Sequence, residues 1–315
     1  YTILGMFRKN VKKIYLIGIK GTGMSSLAVL LKKLGYRITG SDSTEIFFTE
    51  SQLKENRIPY HEGFRAAHIG KEKPDLVIVS TAYTDRNPEV SEAKLRRLPM
   101  LSYPETIGLI SKELTSVAIC GSHGKTTTTS MLGWIMQSNG RTATLTGTVA
   151  AALNNSLAAP RYFIFEADEY QNKFQYFSPA NVILTNVDYD HPDYFKTKQQ
   201  YRKVFKDFIS RTLKHNGIVL YNADDAGARS LLRGMKGKVA SYGFHPKSDY
   251  RIAAINGGLD HFVIIHRQKP FAGILLKVYG RHTIMNAAAR AVMASYLGIS
   301  QSVISRLLKS FTGVK

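Results

Sequence analysis

Residues 117–127 read VAICGSHGKTT, an apolar run followed by a glycine-containing loop and the start of a helical pattern. A glycine loop between a buried strand and a helix turns backbone N–H groups and the positive helix end toward phosphate. The strict phosphate-loop pattern fails because Ile119 stands where it requires glycine. What remains is Gly-x-x-Gly-Lys-Thr-Thr, which predicts ATP and Mg²⁺ binding. The predicted ATP-binding residues here are Gly121, Ser122, His123, Gly124, Lys125, Thr126 and Thr127.

A second glycine-rich turn lies upstream, between the apolar run at 13–18 and a helical pattern that extends through Leu34. A second strand at 37–42 and a buried run at 75–80 complete a βαβ rhythm. This rhythm predicts a doubly wound parallel sheet with ligands beyond the carboxyl ends of its strands. The same turn suggests a nicotinamide dehydrogenase. Against this, Ser26 stands where the dinucleotide-binding pattern has its third glycine or alanine, and a phosphate loop has no role in hydride transfer.

Downstream of the phosphate loop, apolar strands at 162–165, 182–185 and 218–221 alternate with helical patterns. Shorter strands near 262–266 and 273–279 indicate a small antiparallel appendage, and helices at about 283–297 and up to 311 follow. A polar break at 112–116 marks a boundary. The predicted fold is α/β: a Rossmann-like parallel-sheet domain in residues 1–114, then a P-loop-type ATPase domain in residues 115–315.

The composition is that of an ordinary globular protein, with 44% hydrophobic and 21% charged residues. A single cysteine, the lack of an 18-residue apolar run and the lack of a secretory signal favour a soluble cytoplasmic protein without a membrane span. The formal charge of +20 comes from dispersed Lys and Arg without an RNA-recognition or zinc-finger pattern. Anionic nucleotide ligands or a solvated surface therefore explain the charge better than nucleic acid.

Acidic residues follow two of the predicted strands. Glu166 opens the sequence Glu-Ala-Asp-Glu after one strand, and His191 lies among aspartates after the next. Carboxylates near a phosphate loop can hold Mg²⁺, and a neutral imidazole among carboxylates can bind a second cation. A solvated acidic turn and a surface-loop histidine would have the same sequence, so both interpretations stay open at this point.

Six motifs in order along the chain resemble those of the Mur ligases of peptidoglycan synthesis. They are Gly18–Ser25, Gly121–Thr127, Glu166–Glu169, Asn186–His191, Gly280–Ala287 and Phe311–Val314. The resemblance implies that Lys125, Glu166 and His191 are catalytic and that Thr126, Glu166 and His191 bind metal. It further implies that His282 and Asn286 lie on the adenine side of ATP. The implied UDP-substrate residues are Gly21, Thr22, Gly23, Met24, Ser41, Asp42, Ser80 and Thr81.

The resemblance is greatest to the family members that join L-alanine to UDP-N-acetylmuramate. It implies that the lactyl carboxylate of UDP-N-acetylmuramate attacks the γ-phosphate of ATP, and that the amino acid then displaces phosphate from the acyl phosphate. Residues 169–174 differ from the common alanine-adding pattern and lean toward the murein-peptide ligases, which attach a recycled tripeptide. Tyr103 also stands where a basic residue is common, and Thr283 where asparagine is.

The family has a third, C-terminal domain that contacts the amino acid, and this chain ends at Lys315, about where that domain would begin. From the sequence we therefore expect ATP and UDP-sugar binding, with little or no ligation by these 315 residues alone. A non-catalytic nucleotide-binding module is the remaining alternative.

Overall fold

The computed structural model describes residues 11–146, 160–254, 261–276 and 280–311. Within them two sheets follow one another along the chain, the first ending at Ser102 and the second beginning at Thr115. The strands are β1 Lys13–Ile17, β2 Arg37–Asp42, β3 Tyr60–Glu62, β4 Leu76–Val79, β5 Met100–Ser102, β6 Thr115–Cys120, β7 Thr142–Leu145, β8 Tyr162–Glu166, β9 Asn181–Leu184, β10 Ile218–Asn222, β11 Lys238–Gly243, β12 Tyr250–Ala254, β13 His261–His266 and β14 Lys269–Leu275.

Helices connect the strands and cover the sheets. They are α1 Thr22–Lys33, α2 Glu50–Glu55, α3 Ala66–Glu72, α4 Pro88–Leu95, α5 Tyr103–Glu113, α6 Lys125–Met136, α7 Lys198–Lys214, α8 Ala226–Leu232, α9 Arg281–Tyr296 and α10 Gln301–Ser310. Several begin at residues that cap a free helix end. Ser102 and Glu105 form a capping box at α5, and the Thr197 side chain accepts a hydrogen bond at the start of α7.

The first sheet has the order β3-β2-β1-β4-β5 with every pair parallel. The second has the order β14-β13-β12-β11-β10-β9-β6-β8-β7, parallel from β7 to β12 and antiparallel from β12 to β14. In it β6 lies between β8 and β9. The phosphate loop after β6 and the acidic segments after β8 and β9 therefore meet at one edge.

The predicted fold class is confirmed: a parallel-sheet domain precedes a mixed-sheet domain. The antiparallel strands are present, but they extend the edge of the second sheet instead of forming a separate unit, because β12 pairs in parallel with β11. The last strand runs over residues 269–275, earlier than the predicted 273–279, of which 277–279 lie outside the described residues. Residues 312–314 of the final motif also lie outside them. None of the helices described is long and apolar enough to cross a membrane.

Candidate active site

The phosphate loop joins the end of β6 to the start of α6 and depends on two glycines in the left-handed region. Gly121 has φ +135° and Gly124, the residue that caps α6, has φ +80°. A Cβ added to Gly121 would lie 2.1 Å from the Thr185 Oγ1 atom. The loop therefore lies directly against the end of β9, and no side chain larger than hydrogen fits at Gly121.

Polar side chains after β9 hold this loop in place. Thr185 Oγ1 donates a hydrogen bond to the His123 carbonyl at 2.7 Å. The amide side chain of Asn186 accepts from His123 N at 2.9 Å and donates to the His123 carbonyl at 3.2 Å. The loop is therefore preformed, and His123 is fixed through its backbone.

Lys125 and Thr126 begin α6 and face carboxylates from the neighbouring strand. Lys125 Nζ donates to the Gly121 carbonyl at 2.6 Å and lies 3.5 Å from Glu169 Oε2. Thr126 Oγ1 donates to Glu166 Oε2 at 3.1 Å. The structure thus brings Thr126 and Glu166, both predicted metal ligands, into direct contact.

A second group of possible ligands lies beside this pair. One ligand atom from each of Asp168, Glu169 and His191 lies within 4.8 Å of the others. Glu169 is completely buried, and its Oε2 atom has the Lys125 amine 3.5 Å away but no hydrogen bond among the described residues. A buried carboxylate oxygen without a hydrogen bond fits a bound cation, which would add a second positive partner beside Lys125. Carboxylate oxygens and imidazole suit Mg²⁺ or Mn²⁺ here.

Glu169 also connects this group of candidate cation ligands to the phosphate loop. Its Oε1 atom accepts a hydrogen bond from the Tyr201 hydroxyl at 3.1 Å, and that hydroxyl lies 2.9 Å from Ser122 Oγ. Burial and the nearby Glu169 charge raise the pKa of Tyr201, so its hydroxyl keeps its proton. Sequence reasoning assigned no role to either residue. Glu169 belonged to a recognised motif, whereas nothing in the sequence points to Tyr201.

Asn286 lies beside the phosphate loop, and His282 lies about one turn earlier in the same helix. The Asn286 Oδ1 atom accepts a hydrogen bond from Thr128 Oγ1 at 3.3 Å and would lie 3.6 Å from a Cβ on Gly124. His282 is exposed in the first turn of α9. The structure therefore brings Asn286 to the loop and leaves the His282 side chain at the surface.

The predicted UDP-substrate residues occupy the carboxyl edge of the first sheet, but their side chains differ in accessibility. Gly21, Thr22 and Gly23 form the half-buried start of α1, whereas Met24 packs into the core. Ser80 and Thr81 follow β4 and are half-buried and exposed, respectively. Asp42 is buried and accepts hydrogen bonds from Lys20 N at 2.6 Å and the Tyr83 hydroxyl at 3.0 Å. Ser41 is buried as well, and its hydroxyl donates to the Glu89 carboxylate.

The lysine within this glycine turn, Lys20, is buried and paired. The Lys20 side chain is 1% exposed, and its Nζ atom lies 3.1 Å from both Glu50 Oε1 and Glu62 Oε1. It also donates to the carbonyls of Ser43 and Glu45 at 3.0 Å. Hydrogen bonding from Phe47 N and Lys20 lowers the pKa of Glu50 to about 2. Lys20 thus ties the segment after β2 to the turn.

Loss of the Glu50 charge is expected to make the unfolding free energy fall less at acid pH. Because the folded-state pKa of Glu50 lies below its ordinary value of 4.5, its stabilisation is present above that value and is lost as pH falls toward about 2. Urea unfolding at about pH 7 and about pH 3 should therefore show a smaller drop in unfolding free energy for Glu50→Gln than for the unchanged protein. Glu55→Gln, on the exposed end of α2, is the matched control. An equal drop in Glu50→Gln and the unchanged protein would contradict this role.

Both domains of the chain match family models of known proteins. Residues 13–114 match the catalytic domain of the Mur ligase family, and residues 119–294 match the Mur ligase middle domain. The chain belongs to the Mur ligase family. Its relatives include the UDP-N-acetylmuramate–L-alanine ligase of Lactococcus lactis subsp. cremoris strain SK11, 33% identical over 96% of this chain and 67% of that protein. The enzyme of the same name from Anaeromyxobacter sp. strain Fw109-5 is 34% identical over 99% and 68%, respectively.

Solved Mur ligase structures share this fold. The UDP-N-acetylmuramate-alanine ligase MurC of Thermotoga maritima aligns with a TM-score of 0.78 at 26% identity, over 96% of this chain and 69% of that one. A murein-peptide ligase (MPL) from Neisseria meningitides aligns with a TM-score of 0.81 at 24% identity, over 97% and 99%, respectively. This Mur ligase chain spans about two thirds of the length of the curated relatives it matches. The resemblance inferred from the six motifs is confirmed, and the roles of individual residues remain predictions.

Proposed function

We propose that this protein joins L-alanine to the lactyl carboxylate of UDP-N-acetylmuramate and converts ATP to ADP and phosphate. A carboxylate oxygen attacks the γ-phosphorus and ADP leaves, which gives an acyl phosphate. The alanine nitrogen then attacks the acyl carbon, phosphate leaves, and the nitrogen loses a proton. One observation carries the proposal: the preformed loop at 121–127 meets the carboxylates at the end of β8, including the buried Glu169, in a Mur ligase chain.

The residues of this chain have distinct roles in the proposed reaction. Lys125 would neutralise charge on the β- and γ-phosphates, and Asn286 would contact the adenine side of ATP. Thr126 and Glu166 would hold one Mg²⁺, while His191, Glu169 and Asp168 would hold a second cation. The cations would stabilise the negative charge that builds up around the transferred phosphoryl group. The turn at Gly21 to Gly23 and the tip of β4 at Ser80 and Thr81 would form the UDP side, whereas Met24, Ser41 and Asp42 are buried.

The identity of the acceptor is the finer part of this proposal. The curated relatives at 32–34% identity carry the name UDP-N-acetylmuramate–L-alanine ligase, which favours alanine. The likeness to the Neisseria murein-peptide ligase is 24% identical and concerns the fold. Since ATP and UDP-sugars are cytoplasmic metabolites, the proposed reaction would take place in the cytoplasm.

Phosphate release from ATP tests the function directly. With the product of the whole gene, UDP-N-acetylmuramate and Mg²⁺, we expect release to be fastest with L-alanine and slower with L-serine or glycine. Omission of UDP-N-acetylmuramate serves as the control, because the carboxylate must attack first. Faster release with the tripeptide would indicate a murein-peptide ligase instead. Binding of both nucleotides without phosphate release would indicate a non-catalytic module.

A further inference from the structure

Arg290 is a buried arginine in the middle of α9, and the side chains near it include those of Thr128, Met131 and Tyr242. Its side chain is 0% exposed, and the alanines on either side of it in α9 are buried too. One guanidinium nitrogen donates to the Met131 sulfur, and Nη2 lies 3.4 Å from Thr128 Oγ1. Nε has no hydrogen-bond partner, and no carboxylate forms an ion pair with Arg290 among the described residues.

This environment is unfavourable for a guanidinium group. Arginine has five N–H donors and no acceptor, and a thioether sulfur is a weak acceptor. Burial lowers the pKa of Arg290 to about 9, so the side chain remains charged at neutral pH. An unpaired buried charge destabilises a fold, and an apolar residue of similar volume at such a site is often more stable. Packing alone therefore does not account for arginine at this position.

The position of Arg290 beneath the phosphate loop supplies an explanation. Thr128 lies one helical turn after Gly124, and its backbone N–H donates to the Gly124 carbonyl at 3.0 Å. Asn286 precedes Arg290 by four residues and so shares its face of α9. Thr128 Oγ1 contacts both side chains, at 3.3 Å from Asn286 Oδ1 and 3.4 Å from Arg290 Nη2.

The direction of these hydrogen bonds follows from the chemistry of the three groups. Because a guanidinium group can only donate, the Thr128 oxygen accepts from Arg290. The single hydroxyl hydrogen of Thr128 is then directed to Asn286 Oδ1. Both amide atoms of Asn286 lie beside Gly124, with Oδ1 at 3.6 Å and Nδ2 at 3.8 Å from a Cβ built there, so fixing Oδ1 also fixes the Nδ2 donor next to the loop. The positive charge of Arg290 also lies behind the loop predicted to bind a polyanion.

We propose that Arg290 is a positioning residue for ATP, which orients the Asn286 amide through Thr128 and adds positive charge behind the phosphate loop. The inference rests on the proposed function only in placing ATP at residues 121–127. Arg290 thus strengthens nucleotide binding and destabilises the nucleotide-free fold.

Replacement of Arg290 by methionine should separate these two effects. Methionine keeps an unbranched chain about as long as the aliphatic stem of arginine and removes the charge. We expect Arg290→Met to raise the Tm of the nucleotide-free protein. It should also weaken Mg²⁺–ATP binding about tenfold, which is the size of effect expected when a hydrogen bond to a charged group is lost. The measurements are thermal unfolding without nucleotide and calorimetric titration with Mg²⁺–ATP. Affinity for UDP-N-acetylmuramate should not change, because its predicted site lies on the first sheet.

Two further variants test the path through Thr128. Arg290→Lys retains the charge and should recover part of the ATP affinity. Thr128→Val keeps the side-chain shape but removes the hydroxyl, and should weaken ATP binding without the rise in Tm. In the double variant with Arg290→Met, the loss in the free energy of ATP binding should be smaller than the sum of the two single-variant losses, since both changes interrupt one hydrogen-bond chain.

The outcomes distinguish this inference from the proposed function. If the unchanged protein binds no ATP, the proposed function fails. If it binds ATP and Arg290→Met binds equally well, the positioning role alone is wrong. A lower Tm or loss of cooperative unfolding in both Arg290→Met and Arg290→Lys would show that the guanidinium group is needed for folding, which also overturns the inference.

Discussion

Replacement of Lys125 by alanine is expected to slow phosphate release from ATP about a thousandfold, which is the effect of removing a preorganised group that stabilises transition-state charge. The Lys125 amine is the cation on the phosphate loop itself, at the first position of α6. Glycine N–H groups and the helix end would still bind nucleotide. We therefore expect a larger loss in kcat than in ATP affinity.

The resting position of Lys125 supports this expectation. Its amine bonds to the Gly121 carbonyl at 2.6 Å, inside the loop, and lies 3.5 Å from the buried Glu169 carboxylate. The amine is thus held at the junction of the phosphate loop and the candidate cation ligands. Removal of Lys125 also leaves the Glu169 charge without its neighbouring cation, so thermal unfolding must be measured in parallel with activity.

Two comparison variants make the result specific. Lys125→Arg keeps a charge with a different shape and should restore only part of the rate. Lys203→Ala removes an exposed lysine whose partner is Asp207 on the same helix, and should leave the rate unchanged. Phosphate release by Lys125→Ala within tenfold of the unchanged protein, with the fold intact, would refute the assignment of the ATP site.

Local patterns made the phosphate loop predictable. The strand, the glycines and the helix that form it are contiguous in sequence, so residues 117–127 contain most of the information that shapes them. By contrast, β7 was not predicted. Its four residues, Thr142–Leu145, include two threonines and one alanine, and the strand forms because it pairs with β8 and is covered by α6.

Accessibility was the property that sequence position could not supply. The strand tips at Ser41 and Asp42 were predicted correctly, since β2 covers Arg37–Asp42. Their burial depends on groups far along the chain: Glu89 in α4 accepts from Ser41, and Tyr83 donates to Asp42. The position of a strand end follows from local pattern, whereas the side chains that cover it follow from tertiary packing.

The candidate cation ligands show the same division. Sequence reasoning selected Glu166, the first acidic residue after the strand, and His191. The structure adds Asp168 and Glu169 as candidate ligands, which lie where the chain leaves β8 for a 3-10 segment in which Gln171 and Asn172 have positive φ. No periodic pattern predicts that turn, and the contact of Glu169 with Tyr201 spans 32 residues.

Glu169→Gln is the second change with a large expected effect. Glutamine keeps the size of the side chain and an oxygen that can accept from Tyr201, but it removes the negative charge from the cation ligands. We expect the phosphate-release rate at fixed Mg²⁺ to fall about a hundredfold, the scale observed when a group that orients a catalytic metal is lost. The Mg²⁺ concentration for half-maximal rate should rise.

A titration of phosphate release against Mg²⁺ and Mn²⁺ measures this effect, and two variants resolve its cause. Tyr201→Phe removes the hydroxyl that joins Glu169 to Ser122, so it should alter ATP KM more than the metal requirement. Glu113→Gln, on the exposed end of α5, should change neither. If Glu169→Gln keeps the metal dependence of the unchanged protein, Glu169 is not a cation ligand. Its buried charge would then act only on Lys125, whose amine lies 3.5 Å away.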